Sequence, residues 1–218
     1  MPDTHVIPVQ TPVGEGRWYV DAAGAPVATA LLGHGAGGGV TAADLALLAR
    51  ELPRRGVTVG RFEQPWRMAG GRVAVAPPRL DVGWRAAVDF AAQQPWCAGR
   101  LFFGGRSAGA RVACRTAGDY PVAGVVCLAF PLHLPGRPEK SRLAELLLPV
   151  VPRLVLQGTS DTFGGAAELA DALGKASDVH VVELPGADHS FRLPKGASFT
   201  PAALRARVVA EVAEFCAG

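Results

Sequence analysis

The sequence predicts an α/β protein with a mostly parallel central sheet and helices on both of its faces. Three observations support this fold class. Short apolar stretches alternate with amphipathic ones along the chain, a pattern typical of βαβ units. Loops rich in glycine and polar residues directly follow several of the apolar stretches. The 218 residues, 49% of them hydrophobic, suffice for one buried core, so we expect a single domain over residues 1–218.

Strands and helices can be placed along the chain from apolar runs, caps and turn residues. Weak alternation over residues 5–21, broken by two glycines, indicates an opening antiparallel hairpin. Further strands are predicted at 27–32, 57–62, 101–104, 122–130, 154–157 and 179–184. Helices are predicted between Thr41 and Gly56, after Ser107, and at 84–94, 142–148, 166–173 and 201–215. Residues 64–80, rich in proline and glycine, are expected to form the longest irregular segment.

A serine stands in a glycine-flanked turn between a predicted strand and a predicted helix. Residues 101–111 are LFFGGRSAGAR, in which Gly105, Ser107 and Gly109 complete a GxSxG pattern. Such a nucleophile elbow holds its serine on a strained turn, and only very small residues fit two positions before and after it. We therefore predict that Ser107 is a nucleophile. In a chain with 27 glycines one such match is weak by itself, so the prediction depends on partner residues.

A serine nucleophile needs a histidine to take up its proton and a carboxylate to orient that histidine. In proteins with a nucleophile elbow these groups follow in the order serine, acid, histidine. Asp161 directly follows one predicted strand and His189 follows the last one, so we expect both to complete a triad with Ser107. Asp188 adjoins His189 and would have difficulty in reaching its ring. His133 is the alternative base, although hydrogen bonding within its own loop is its simpler role.

The tetrahedral intermediate of acyl transfer needs two N–H donors for its negatively charged oxygen. One is expected from the backbone of Ala108, which follows the nucleophile at the start of a helix. The second is expected from the loop GHGAGGG at residues 33–39, with Ala36 or Gly37 as the donor. The simpler interpretation of this loop is a flexible turn.

The same glycine loop supports a competing hypothesis. Residues 33–38 fit the dinucleotide-binding pattern GxGxxG, and Glu63 ends the next strand, where an acid could bind a ribose. A dinucleotide-dependent oxidoreductase is therefore an alternative function. It is less favoured because the pattern follows the third strand rather than the first, and because Ser107, Asp161 and His189 would have no role.

Arginines are frequent in the loops expected at the carboxyl edge of the sheet. They are Arg61, Arg67, Arg72, Arg106, Arg137 and Arg192. Forked hydrogen bonds from some of them could hold a substrate carboxylate or phosphate, whereas solvated surface arginine is the simpler role for most. Arg106 differs because it lies within the elbow, and we predict Arg106 and His133 as substrate-binding residues. The segment between Pro131 and Pro152 has room for a short helix but not for a large lid.

With these motifs in view, the chain resembles the α/β-hydrolase superfamily, near its small dienelactone-hydrolase-like enzymes. GGRSAGARVA, LAFPLHLPGRPEK, LQGTSDTFG and GADHSF are most similar to the branch that includes a subunit of the metazoan nonspecific-lethal histone-acetyltransferase complex and its testis-expressed relative. The resemblance implies the hydrolase fold and catalytic roles for Ser107, Asp161 and His189. Some members of this branch look like scaffolds, so a non-catalytic interaction protein is the other hypothesis. Dienelactone hydrolases have a cysteine at the position of Ser107, which disfavours dienelactone as the substrate.

Composition narrows the expected partners. The net charge of +3 comes from scattered arginines and only 7% of residues are aromatic, so no nucleic-acid partner is expected. Because the N-terminus has no apolar leader pattern and no stretch of about 18 apolar residues occurs, we expect a cytoplasmic protein that does not contact membranes. The four cysteines lie outside any CxxC spacing and are expected to be free thiols, with no metal and no cofactor.

The function predicted from sequence is that of a carboxylesterase-like serine hydrolase. It would act on a carboxylic ester or thioester of a small substrate, which the arginines allow to be anionic. The sequence leaves the natural substrate and the oligomeric state open.

Overall fold

The computed structural model describes residues 4–175 and 178–218, which form an eight-stranded sheet flanked by helices. The strands are β1 (His5–Thr11), β2 (Gly14–Asp21), β3 (Ala28–Gly33), β4 (Val57–Glu63), β5 (Arg100–Arg106), β6 (Gly124–Leu128), β7 (Arg153–Gly158) and β8 (Val179–Leu184). The helices are α1 (Ala43–Glu51), α2 (Pro65–Met68), α3 (Pro77–Ala91), α4 (Ala108–Thr116), α5 (Leu143–Leu146), α6 (Ala166–Leu173) and α7 (Pro201–Ala217). Their arrangement confirms the predicted α/β fold class.

Across the sheet the strands lie in the order β1-β2-β4-β3-β5-β6-β7-β8. β1 pairs with β2, and β2 with β4, in antiparallel fashion, whereas the pairs from β4 through β3 to β8 are parallel. Parallel strands end at the same edge, so the loops after β3, β5, β7 and β8 open on one side of the sheet. The chain winds outward in both directions from β3, the arrangement that places ligand crevices at this edge in open α/β sheets.

The sheet separates two hydrophobic cores. Successive residues of β3 alternate between them: Ala30 and Leu32 pack in the core with α1 and α7, and Leu31 packs in the core with α3 and α4. Every residue of β3 and of β6 is buried, as expected for central strands that are covered on both faces. Helices therefore shield both faces of the central strands.

Tryptophans fix the N-terminal hairpin to the core that contains α3 and α4. Trp18 of β2 and Trp84 of α3 are both buried, and their ring centroids lie 5.8 Å apart. The indole N–H of Trp18 donates a hydrogen bond to the backbone oxygen of Ala87, at 3.0 Å. These contacts hold the antiparallel edge of the sheet against the helix that precedes β5.

The segment predicted to be irregular, residues 64–80, is partly helical. It contains α2, and α3 begins at Pro77 rather than near Trp84. Prolines stand at the start of both helices, where the missing N–H has no intrahelical partner to lose. The prolines that suggested a loop are therefore helix starts.

The helix predicted between Thr41 and Gly56 is divided in two. α1 begins after Ala42 and ends at Glu51, and a short 3₁₀ turn over Pro53–Arg55 follows it. Gly56 ends this turn with a φ of 79°, a left-handed conformation that favours glycine. The predicted stop at Gly56 holds for the 3₁₀ turn, whereas the α-helix already ends at Glu51 and its N-cap is Ala42 rather than Thr41.

No helix within residues 4–175 and 178–218 combines the length and the apolar character that a membrane crossing requires. The cysteines in the described part of the chain are free, and Cys97 is half-buried while Cys114, Cys127 and Cys216 are buried. The free-thiol prediction is confirmed.

The start of α4 lies directly against the end of β3. A Cβ added at Gly109 or at Gly105 would overlap the backbone oxygen of Gly33. Gly105 also has a φ of 154°, which L side chains rarely adopt. This glycine contact brings the loop after β3 beside the turn after β5.

Gly109→Ala is expected to lower the free energy of unfolding by about 2 to 3 kcal/mol, because the methyl group must displace strand backbone rather than a flexible side chain. Gly118→Ala is the matched control, since nothing lies within 4 Å of a Cβ at that position. It should change stability by less than about 0.5 kcal/mol. Urea denaturation followed by circular dichroism measures both. Equal stability of the two variants would show that β3 and α4 separate without an energetic penalty.

Candidate active site

Ser107 occupies a strained turn between β5 and α4. Its φ of 51° and ψ of −109° lie outside the regions that L residues ordinarily adopt. The Ser107 N–H donates to the backbone oxygen of Leu128 at 2.9 Å, and the Arg111 N–H donates to the Ser107 oxygen at 3.2 Å. The backbone geometry expected of a nucleophile elbow is therefore present at the GxSxG pattern.

His189 contacts both Ser107 and Asp161. Its Nε2 lies 3.0 Å from Ser107 Oγ, and its Nδ1 lies 2.8 Å from Asp161 Oδ2. When Nδ1 is protonated, this N–H donates to the carboxylate while Nε2 accepts from the serine hydroxyl. The structure thus brings together the three side chains that chain order selected, from the loops after β5, β7 and β8.

The carboxylate of Asp161 is buried and well supplied with donors. Its side chain is 0% exposed, Oδ1 accepts from the Phe163 N–H at 2.8 Å, and Oδ2 also accepts from Gln157 Nε2 at 3.0 Å. A buried carboxylate requires such partners. The Phe163 ring stacks on the His189 imidazole with centroids 4.2 Å apart. The imidazole is therefore held both at its Nδ1 and on one ring face.

The predicted oxyanion-hole residues line the cleft beside the serine. Ala36 and Gly37 of the glycine loop and Ala108 of α4 all contribute to its wall. As the first residue of α4, Ala108 has a backbone N–H with no acceptor in its own helix. The helix N-terminus also places partial positive charge beside Ser107. The residues predicted to form the oxyanion hole thus line the same cleft as Ser107.

His34 braces the glycine loop from within. Its Nδ1–H donates to the backbone oxygen of Gly35 at 2.8 Å, and its Nε2 accepts from the Gln64 N–H at 3.1 Å. Burial lowers the pKa of His34, which favours the neutral imidazole that this pair of bonds requires. The loop after β3 is therefore held in place and is not merely a flexible turn.

The cleft above Ser107 has a volume of about 660 Å³, within the range of small-molecule sites. The larger apolar side chains of its wall are those of Pro131, Leu134, Phe163 and Phe191. Its charged lining comprises Asp44, Arg106, Arg111, Arg142 and Arg192. Cations thus outnumber anions around the serine.

Arg106 lines the cleft, but its guanidinium group is already engaged. Its Nε lies 2.9 Å from Asp44 Oδ2, and its Nη2 donates to the backbone oxygen of His189. The Arg106 and Asp44 side chains are 12% and 6% exposed. Arg106 therefore connects α1 and the His189 loop to the elbow, a role different from the predicted substrate contact.

The structure does not bring His133 to the cleft. Its Nδ1 lies 2.8 Å from the backbone oxygen of Leu134, and its Nε2 lies 2.8 Å from Glu168 Oε1 of α6. Both ring nitrogens are occupied, and His133 is not part of the cleft lining. The substrate contact predicted for His133 is therefore not supported, and hydrogen bonding within its own loop is the role that the geometry shows.

Sequence reasoning missed several residues of the site: Gln157, Phe163, Arg111 and Arg142. Arg111 could have been found, because it follows Ser107 by one helical turn and so lies on the same face of α4. Gln157 and Phe163 flank Asp161 in the chain, but their residue types do not show that they turn toward it. Arg142 comes from a segment without a periodic pattern that would have oriented it.

Sequence comparison establishes the family. A model of the alpha/beta hydrolase domain matches residues 26–217. The chain belongs to the α/β-hydrolase family. No curated protein matches its sequence. Family membership favours the hydrolase hypothesis for the glycine loop over the dinucleotide hypothesis. In the structure Glu63, the residue considered for ribose binding, accepts a hydrogen bond from the Tyr19 hydroxyl at 3.0 Å.

Solved structures resemble this α/β hydrolase along nearly its whole length. An α/β serine hydrolase homologue from Coxiella burnetii has a TM-score of 0.76 at 20% identity, covering 95% of this chain and 97% of that one. A serine hydrolase without a lid from Xanthomonas campestris has a TM-score of 0.73 at 22% identity, covering 100% and 97%. A dienelactone hydrolase from Anabaena variabilis has a TM-score of 0.74 at 19% identity, covering 98% and 96%. At these identities the similarity shows the shared fold.

Arg106→Gln is expected to lower the free energy of unfolding by about 3 kcal/mol at neutral pH, because it leaves the Asp44 carboxylate buried without its cation. Arg50→Gln is the control on α1, since its ion pair with Glu51 is 49% and 32% exposed and should contribute less than about 1 kcal/mol. Denaturant titrations of the three proteins measure these differences. Similar losses in both variants would contradict a structural role for the buried pair.

The deficit of Arg106→Gln should depend on pH. Burial already raises the pKa of Asp44, and Arg106 opposes that rise. In Arg106→Gln the raised pKa lets Asp44 keep its proton in the folded protein. The unfolded chain releases that proton above its ordinary Asp pKa of about 3.9. Stability therefore falls as pH rises above that value, and the deficit relative to wild type should be smaller at pH 5 than at pH 8. Denaturant titrations at the two pH values test this, and a deficit independent of pH would exclude Asp44 as its cause.

Proposed function

We propose that this protein is a serine hydrolase that cleaves a carboxylic ester or thioester of a small substrate through an acyl-enzyme. The observation that supports it best is the run of contacts from Ser107 through His189 to Asp161, at 3.0 Å and 2.8 Å. Family membership and the two similar serine hydrolase structures agree with this chemistry. The cleft volume agrees with a small substrate.

Acylation would start with Ser107 Oγ attacking the carbonyl carbon while His189 Nε2 takes up the hydroxyl proton. Asp161 accepts the Nδ1–H bond throughout and stabilises the imidazolium form that results. The carbonyl oxygen becomes an oxyanion, which the N–H of Ala108 and that of Ala36 or Gly37 would stabilise by about 3 kcal/mol per donor. His189 then protonates the leaving alcohol or thiol, and the acyl group stays on Ser107.

Deacylation would repeat these steps with water as the nucleophile. His189 Nε2 takes a proton from the water as its oxygen attacks the acyl carbon, and then returns the proton to Ser107 Oγ. The products are a carboxylic acid and the regenerated serine. No cofactor takes part in this proposal.

We also propose the closer relationship, to the branch that includes the nonspecific-lethal complex subunit and its testis-expressed relative. The motifs around Ser107, His133, Asp161 and His189 support it. The cytoplasmic location, the lack of nucleic-acid and membrane partners, and the single domain over residues 1–218 stay predictions.

Labelling with a fluorophosphonate tests the nucleophile. The reagent should modify Ser107 alone, as located by mass spectrometry, and Ser107→Ala should abolish the label. Ser190→Ala is the control, because Ser190 lines the same cleft and its loss should leave labelling unchanged. A wild-type protein that resists the reagent under conditions that label a known esterase would favour the non-catalytic interaction hypothesis.

Asp161→Asn should reduce turnover of an activated ester by roughly four orders of magnitude, because an amide favours the wrong tautomer of His189. Asp188→Asn is the control: Asp188 Oδ1 accepts the N–H groups of Ser190 at 2.7 Å and Arg192 at 2.9 Å, which an asparagine oxygen also accepts. Its effect should be much smaller.

The same measurement tests whether acid and base act as a unit. Asp161→Asn added to His189→Ala should reduce kcat/KM little further. Once His189 is absent, an acid that only orients His189 can no longer contribute. Circular dichroism confirms that each variant is folded. If the loss of kcat/KM in the double variant equalled the product of the two single losses, Asp161 and His189 would act independently. That result would contradict the proposed triad.

A further inference from the structure

We propose that the substrate of this hydrolase carries an anionic group, a carboxylate or a phosphate, which Arg142 binds at the wall of the cleft. The inference rests on the proposed function, because it names the substrate class of the same site. It comes from the distribution of charge around Ser107 and from the partners that each charged side chain already has.

Two of the arginines in the cleft are neutralised by carboxylates. Arg106 pairs with Asp44, at 2.9 Å. Arg111 makes two hydrogen bonds to Glu145, of 2.6 Å and 2.7 Å, in the forked geometry that suits a carboxylate. Glu145 also accepts from Arg115 at 2.9 Å, so this one carboxylate already serves two guanidinium groups.

Arg142 is the half-buried arginine of the cleft that lacks such a partner. Its Nη1 donates to the backbone oxygen of Pro131 at 3.3 Å, and Pro131 itself lines the cleft. Within residues 4–175 and 178–218 no carboxylate lies at ion-pairing distance from it. A guanidinium group has five N–H donors, so most of those on Arg142 are left for a ligand.

The surroundings of Arg142 are unfavourable for a cation. Burial and the nearby charge of Arg111 both lower its pKa, and Glu145, engaged by Arg111 and Arg115, only partly opposes them. An anion bound in the cleft beside Arg142 would offset the repulsion between Arg142 and Arg111 and accept forked hydrogen bonds from Arg142. Arg192 lines the same cleft but is exposed, where water and salt screen its charge. The binding contact is therefore assigned to Arg142, and Arg192 adds to the attracting field.

The test uses pairs of esters that differ only in one charge. Mono-4-nitrophenyl adipate is compared with its methyl ester for charge in the acyl part, and 4-carboxyphenyl butyrate with its methyl ester for charge in the leaving group. In at least one pair the wild-type protein should have about a tenfold higher kcat/KM for the anion, the ratio expected of one charged hydrogen bond. Arg142→Gln should remove that preference, lowering kcat/KM for the anionic ester about tenfold more than kcat/KM for its neutral methyl ester.

Two further variants separate a specific contact from net charge. Arg142→Lys should restore part of the preference, since lysine keeps the charge but not the fork. Arg54→Gln removes an equal charge from the exposed turn before β4, at the opposite edge of the sheet, and should leave the preference intact. Neutral-ester activity and circular dichroism confirm that each variant is folded.

A measurement that does not need turnover distinguishes carboxylate from phosphate. Sodium adipate and inorganic phosphate, at constant ionic strength, should slow fluorophosphonate labelling of Ser107 in the wild type and not in Arg142→Gln. The stronger protector identifies the anionic group. Equal kcat/KM values within both ester pairs, together with no protection by either anion, would overturn the inference while leaving the serine hydrolase in place. If neither labelling nor hydrolysis occurs, the proposed function itself fails, and this inference with it.

Discussion

The backbone contact between the end of β3 and the start of α4 is the constraint on which the site depends. Gly33, Gly105 and Gly109 meet without side chains between them, so two neighbouring strands deliver their loops to the same place. One loop contains Ser107, and the other, the glycine loop at residues 33–39, lines the same cleft. The proposed nucleophile and the proposed oxyanion donors come from segments far apart in the chain, and this contact holds those segments together.

Around that contact, polar and charged side chains are paired with one another. Asp161 holds His189 on one side of the serine, and Arg106 fixes the backbone of His189 on another while its own charge is balanced by Asp44. Ion pairs of this kind position groups more than they stabilise the fold. No ion pair among the described residues includes Arg142 or Arg192, and these two arginines give the cleft lining an excess of positive charge.

The sequence predicts the sheet and the triad because their signals are local or ordered. Apolar runs give strands, and the order of Ser107, Asp161 and His189 along alternating strands fixes the edge on which they meet. What the sequence does not predict is where long side chains point. Arg106 bonds to the backbone of the His189 loop and pairs with Asp44, a buried carboxylate on α1, so its guanidinium group is engaged within the protein. That partner is distant in sequence, so its pairing with Arg106 follows from packing alone.

The pair of Arg106 and Asp44 also bears on how the sequence of this protein can change over evolutionary time. Position 106 is a variable position of the GxSxG pentapeptide, yet here its residue is matched to one on α1. A change of Arg106 or Asp44 alone leaves a buried charge without its partner, so substitutions at the two positions are expected to occur together. Homologues with a neutral residue at position 106 are then expected to lack the acid at position 44. The residue beside the elbow serine would thus vary together with a residue of α1 that is distant in sequence.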